Sequence, residues 1–313
     1  MVPKYDIIFA ICSGKSRDGP MKGTNYMNKI KGTILAAAVA LAVDAWAGVP
    51  LNNLQGTGGI AFNPLAYTAG RDWEGEGFAT NLVGIISKPQ VGGWYVNLHE
   101  ADIHWLAASA AFTVFDRLEL SYGYGFVNAK KYGDKSIDTN NLGVKLKLLD
   151  ENAFDTVWVP AVAAGAVYKR TNSKTVGALG LDKDGFDYYL VASKLITQTP
   201  WPVLLSAGLL YSDEVVNGVV GHSRYGVSYF GNIDVLPADN IVIGFEYKSG
   251  EDVGRGISNH DYFDGHVAWF VNDSLTLVGA YAYTGNKDKF LEGGSAKDLG
   301  VGGGFVLSVQ YQF

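Results

Sequence analysis

Gly304-Phe305-Val306-Leu307-Ser308-Val309-Gln310-Tyr311-Gln312-Phe313 alternates with a period of two. Phe305, Leu307, Val309, Tyr311 and Phe313 share one face of an extended chain, and Gly304, Ser308, Gln310 and Gln312 share the other. Alternation of this kind marks a strand with two different environments on its two sides. The same pattern runs through Arg117 to Phe126, where Leu118, Leu120, Tyr122, Tyr124 and Phe126 oppose Arg117, Glu119, Ser121, Gly123 and Gly125. In Asn240 to Lys248, Ile241, Ile243, Phe245 and Tyr247 oppose Val242, Gly244, Glu246 and Lys248; in Asn141 to Leu148, four aliphatic residues oppose Gly143, Lys145 and Lys147.

Composition agrees with a chain built of such strands. Among 313 residues there are 40 glycines, 18 tyrosines and 15 phenylalanines, with 48% hydrophobic residues and a single cysteine, Cys12. The net charge of −6 is spread without basic runs, so a nucleic-acid partner is not expected. Past the leader no segment approaches the roughly 20 apolar residues that a membrane-spanning helix needs, so any membrane role falls to strands.

The leader is the run Ile34 to Ala42, preceded by Lys29 and Lys31 and followed by Ala45-Trp46-Ala47. A basic start, a short apolar stretch and a small-x-small site describe a secretory signal over residues 27–47, cleaved near Ala47. Residues 1–26 then lie upstream of Met27 as an extended leader or a start called too early. Export, alternating strands and a terminal aromatic residue together favour an all-β, antiparallel up-and-down barrel in the outer membrane of a Gram-negative bacterium, ahead of a periplasmic sandwich.

Twelve strands are expected, near 76–88, 102–115, 117–130, 139–150, 155–169, 185–197, 201–213, 223–236, 239–249, 260–271, 274–285 and 300–313. Long links near 89–101, 130–139, 170–184, 213–223, 250–260 and 286–299 alternate with short ones, as outer loops alternate with periplasmic turns. Residues 76–313 form the barrel on this reading. Residues 48–75 are left over, either plugging it or adding a hairpin that makes fourteen strands.

With the strands placed, Phe115 to Ser121, Leu142 to Arg170, Asp184 to Tyr189, and Asp261 to Tyr281 with its Ala268-Trp269-Phe270 core resemble a proteobacterial outer-membrane family of unknown function, the DUF3034-type family. Gly58 to Gly70 corresponds to that family's glycine-rich segment but departs from it in carrying Asn63-Pro64. The resemblance implies location and fold and supplies no catalytic residue.

Parity places Arg117, Glu119, Lys145, Lys147, Lys194, Arg224, Asp234, Glu246, Lys248, Asp264 and His266 in the lumen. If that lumen is open, Lys145, Lys147 and Lys194 favour anions; if the charges pair, they close it. His99 and His104 flank two carboxylates but stand five apart, on opposite faces of a strand, so neither a metal nor another cofactor is expected. His222 and Ser223 are adjacent and point opposite ways if extended, unlike the same-face histidine and serine of outer-membrane phospholipases.

The sequence therefore suggests a narrow passive channel for small polar or anionic solutes, with outer-membrane lipid around it and the assembly machinery engaged through Tyr311 and Phe313. A closed barrel anchoring a periplasmic or extracellular partner is the alternative, and a membrane-embedded hydrolase a more distant one. The mature protein should fractionate with the outer membrane and migrate faster in gels when unboiled; recovery in the soluble periplasm would count against the whole reading.

Overall fold

The computed structural model describes residues 51–71, 85–129, 134–178, 182–214, 221–250, 252–254, 257–258, 260–285 and 300–313. The signal at 27–47, residues 1–26 and Cys12 lie outside the described residues.

Twelve antiparallel strands close on themselves. In chain order they are β1 (Gln90–Leu98), β2 (Ile103–Val114), β3 (Leu118–Ala129), β4 (Asp134–Leu149), β5 (Ala161–Thr171), β6 (Asp184–Ile196), β7 (Val203–Glu214), β8 (Gly221–Ala238) and β9 (Ile241–Lys248). A two-stranded ribbon, β10 (Asp252–Gly254) and β11 (Ile257–Ser258), intervenes, and β12 (Tyr262–Phe270), β13 (Leu275–Tyr283) and β14 (Gly303–Gln312) complete the ring. β14 pairs with β1 in a register that sets Gln312 opposite Gln90 and Phe305 opposite Asn97. Closure pairs both edges of each strand of the ring, which the hydrocarbon interior of a membrane requires.

The alternation seen in the sequence is the division between lipid and lumen. Leu142, Leu209, Val227, Ile233, Ile243, Leu307 and Val309 are exposed on the outer wall. Glu119, Lys145, Asp234, Glu246, Asp264 and Gln310, on the opposite parity, are fully buried. Aromatic rings gather toward the loop end, where Tyr168 meets Phe186 at 5.1 Å, Tyr211 meets Tyr225 at 4.7 Å and Phe263 meets Tyr283 at 5.3 Å. Such a girdle suits the interface, where one side of the ring is apolar and the other wet.

Two strands stand elsewhere than expected. The first barrel strand is β1, inside the stretch read as a long link at 89–101; of the strand expected at 76–88, residues 76–84 lie outside the described residues. β1 carries the alternation Trp94-Tyr95-Val96-Asn97 but has Gly92-Gly93 just ahead of it, which dilutes its apolar signal. The fifth strand begins at Ala161 and not near 155, because residues 150–160 form a turn in which Asn152, Phe154 and Asp155 all take positive φ.

Residues 51–71 do not extend the sheet. Nearly all of them are buried, among them Leu51, Leu54, Ile60, Phe62 and Leu65, and they sit against inward-facing side chains of the wall. Their course is irregular and braced from within, Asn53 Oδ1 accepting the N–H groups of Gln55 and Thr57 at 3.1 Å each. At Gly56, φ is +103° and the backbone lies directly on Tyr122 and Gly123 of β3, so a side chain there meets both strain and the wall.

The face assignment has a measurable consequence at Ile243 and Gly244. Ile243 is half exposed near the middle of β9, so Ile243→Arg should cost about 2–4 kcal/mol in refolding titrations if it sits at the bilayer midplane. Gly244 faces inward, where an added Cβ meets Asp234 and His266, so Gly244→Ala should cost about 1–3 kcal/mol by overpacking. Unchanged stability in both variants would show that the faces are wrongly assigned.

Candidate functional site

The lumen is the candidate site, and its chemistry is set by where charged side chains meet the inner segment. Glu119 on β3 and Lys145 on β4 are a directly opposed cross-strand pair. They form an ion pair at 2.8 Å in which both side chains are wholly buried. Glu119 also accepts the backbone N–H groups of Gly58 and Ala69, each at 2.8 Å. Lys145 donates to the carbonyls of Gly58, Leu65 and Tyr67 at 2.8, 3.2 and 2.7 Å. The pair thus satisfies its own leftover capacity with the backbone of residues 58–69, and that backbone with the pair.

Other walls contribute further anchors. Glu246 on β9 accepts the N–H of Phe62 at 2.9 Å and that of Asn63 at 3.2 Å. Ser193 on β6 accepts the N–H of Ala66 at 2.9 Å, and Thr113 on β2 donates to Ala69 O at 2.6 Å. Gln310 on β14 both accepts from Asn52 N and donates to Asn52 O, while Trp94 on β1 donates to the same carbonyl at 3.1 Å. One void between the segment and the wall, lined by residues including Gln55, Thr57, Phe62, Tyr189 and Lys248, holds about 20 Å³. That is room for about one water, so at this level the lumen is filled.

The residues expected in the lumen divide by depth. Glu119, Lys145, Asp234, Glu246, Lys248, Asp264 and His266 are inside and buried. Lys147 has inward parity but lies at the turn end, bonded to Asp150 at 2.8 Å. Arg117 is a correction: it belongs to the turn before β3, half exposed, and reaches Asp150 at 2.9 Å outside the lumen. The hydrogen bond from Lys147 holds the Asp150 carboxyl below its ordinary value, opposed by partial burial and helped by the Lys147 and Arg117 charges.

Lys194 is the second correction. The inward row of β6 is Asp187, Tyr189, Val191 and Ser193, so Lys194 falls on the outer face and bends its ammonium to Glu151 at 3.0 Å and Asn152 at 2.6 Å. The Arg224 side chain lies outside the described residues.

A buried ion pair that the sequence reading missed joins Lys169 on β5 to Asp187 on β6. Parity counted from Ala161 and Ala163 reaches Lys169, and parity counted from Ser193 reaches Asp187; the neighbouring tyrosines 188 and 189, one outward and one inward, obscured the second.

His99 and His104 are not brought together around an ion. His99 stacks on Phe305 at 5.8 Å between ring centres, and His104 bonds the Tyr95 hydroxyl at 3.0 Å. Among the described residues, the group with three ligand-type side chains within 4.8 Å of one another is Glu246, Asp264 and His266.

A family model described as "Protein of unknown function (DUF3034)" matches residues 48–291. No curated protein matches the chain. Among solved structures, the KdgM porin is similar at 11% identity and a TM-score of 0.49, over 72% of this chain and 99% of its own. The outer membrane protein Omp33 of Acinetobacter baumannii is similar at 12% identity and 0.43, over 74% and 100%. An outer membrane channel of Pseudomonas putida F1 follows at 16% and 0.41, over 72% and 94%.

Depth should decide what each lysine is worth. Lys145→Gln leaves Glu119 buried without its counter-charge and should cost about 3–5 kcal/mol, whereas Lys147→Gln and Lys194→Gln, at the turn end where both partners are partly exposed, should each cost clearly less, about 1–2 kcal/mol. Urea titration of the three variants checks this, and equal effects would refute it.

Proposed function

The chain belongs to the DUF3034 family, which has no activity to lend it, and from its geometry we propose a passive outer-membrane channel held closed by its own residues 51–71. The carrying observation is that the inner segment is fastened mainly to charged and polar side chains of the wall: Glu119, Lys145, Glu246, Ser193 and Gln310. Withdrawal of the segment exposes these charged and polar groups beside apolar patches such as Trp94, Leu204 and Val242, and the wall does not collapse, because the barrel's own hydrogen bonds do not pass through the segment.

Twelve strands stand between the filled eight-stranded barrels and the sixteen-stranded water channels, so displacement of one internal segment is enough to change the state of the lumen. The proposal includes the leader: cleavage near Ala47 puts the start of the mature chain a few residues before Leu51 in sequence.

The solute class shifts from the sequence expectation. Lys145 is neutralised by Glu119, Lys147 by Asp150 and Lys194 by Glu151, so these lysines supply no free positive field. The buried carboxylates Glu119, Asp187, Asp234, Glu246 and Asp264 outnumber the buried lysines 145, 169 and 248. An opened lumen of this make-up passes small polar solutes and cations ahead of anions.

Planar-bilayer recording tests the proposal. The full mature barrel should be closed for most of the record, deletion of residues 51–71 should give steady cation-selective conductance, and Lys145→Gln should raise the frequency of openings. A deletion variant that inserts and remains heat-modifiable yet stays silent would overturn the channel in favour of the closed, anchoring barrel.

A further inference from the structure

The inward faces of β8, β9 and β12 carry two neighbouring rows in register. Asn232, Glu246 and Asp264 are aligned across the three strands, and Asp234, Gly244 and His266 form the next row. Asn232, Asp234, Glu246, Asp264 and His266 are all buried. His266 Nε2 lies 2.8 Å from Asp234 Oδ1, and Nδ1 lies 2.9 Å from Asp264 Oδ1. Asp264 also accepts from the Tyr262 hydroxyl at 2.9 Å. The Asn232 amide is held by its Nδ2 against Asp234, in the row beside Glu246 and Asp264, and its Oδ1 is buried with no hydrogen-bond partner.

We propose that Glu246, Asp264 and Nδ1 of His266 bind one divalent cation of the zinc or manganese class, with Asn232 Oδ1 as a further donor. Three carboxyl groups face one imidazole here, so one positive ring cannot balance them if all are ionised, and a divalent cation would supply the missing positive charge that buried carboxylates need. Lys248, the inward cation on β9, lines the void beside Asp187 and Tyr189 on the far side of Glu246 from His266. Asp234 takes the position of the outer carboxylate that receives Nε2–H, fixes the tautomer and turns Nδ1 toward the ion.

A donor set of one imidazole, two carboxylates and an amide oxygen suits zinc or manganese better than calcium or magnesium, which prefer oxygen alone. Gly244 gives the side chains of Asp234 and His266 their room, since a Cβ there meets both. Because Glu246 also accepts Phe62 N–H and Asn63 N–H, the ion and the inner segment share one ligand. The site stands on these side chains and holds whether or not the barrel conducts.

The test is to refold the mature barrel in detergent with Zn²⁺ or Mn²⁺, dialyse away free metal and measure bound metal by mass spectrometry. About one ion per chain is expected for the unaltered protein. Glu246→Gln and His266→Gln, confirmed as folded by their faster migration unboiled, should each weaken binding at least tenfold. His99→Gln with His104→Gln should leave it intact. Asn232→Ala removes no charge and serves if the other variants fail to fold; it too should weaken binding. Absence of stoichiometric metal in the unaltered barrel, or undiminished metal in every folded variant of the cluster, would overturn the site.

Discussion

The Glu119–Lys145 pair is the interaction on which the interior of this molecule depends. Two opposite charges with no solvent exposure are costly to place in a protein unless their remaining valences are used. Here three carbonyls and two N–H groups of a single irregular segment use them. The dependence runs both ways, because a segment without secondary structure carries backbone donors and acceptors that need partners of their own. Neither the charged wall nor the irregular segment is tolerable alone in a closed lumen; together they are a filled interior.

The outside follows the opposite rule. The outer wall presents Ile243, Val267, Leu307 and Val309 through its middle, with aromatic rings toward the ends. The barrel is apolar on the outside, where a water-soluble protein is polar, and inside it sets buried charges beside apolar clusters. Strands serve both sides because side chains at successive positions point to opposite faces. One residue of slip exchanges the two environments, so β9, with Ile243 outward and Glu246 inward, has a single admissible register.

That parity explains how far the sequence was legible. Glu119, Lys145, Asp234, Glu246, Asp264 and His266 could be placed inward from neighbours alone, because each sits in a run of clean alternation. Legibility failed where alternation is diluted or broken: at β1, with paired glycines near its start, at β6, where adjacent tyrosines face opposite ways, and in the 150–160 turn, whose positive φ angles have no period. The fate of residues 51–71 was open for a different reason. Their structure is determined by the partners waiting on eight strands, and irregular backbone held by distant groups leaves no local pattern. The pairing of Lys147 and Lys194 was hidden in the same way, since Asp150 and Glu151 lie in a turn that parity does not reach.

The attachment of Asn52 bears on how the ring is shut. Its backbone and side chain are held by Gln90 and Trp94 of β1 and by Gln310 of β14, the two strands whose pairing completes the cylinder. These strands stand at opposite ends of the barrel sequence, and the entropy lost in joining chain ends rises with the logarithm of the length between them. A short stretch that precedes β1 in the chain and grips both sides of the seam acts as a clasp. Because one asparagine is tied to both strands at once, the seam of the cylinder and the contents of its lumen are fastened at the same point.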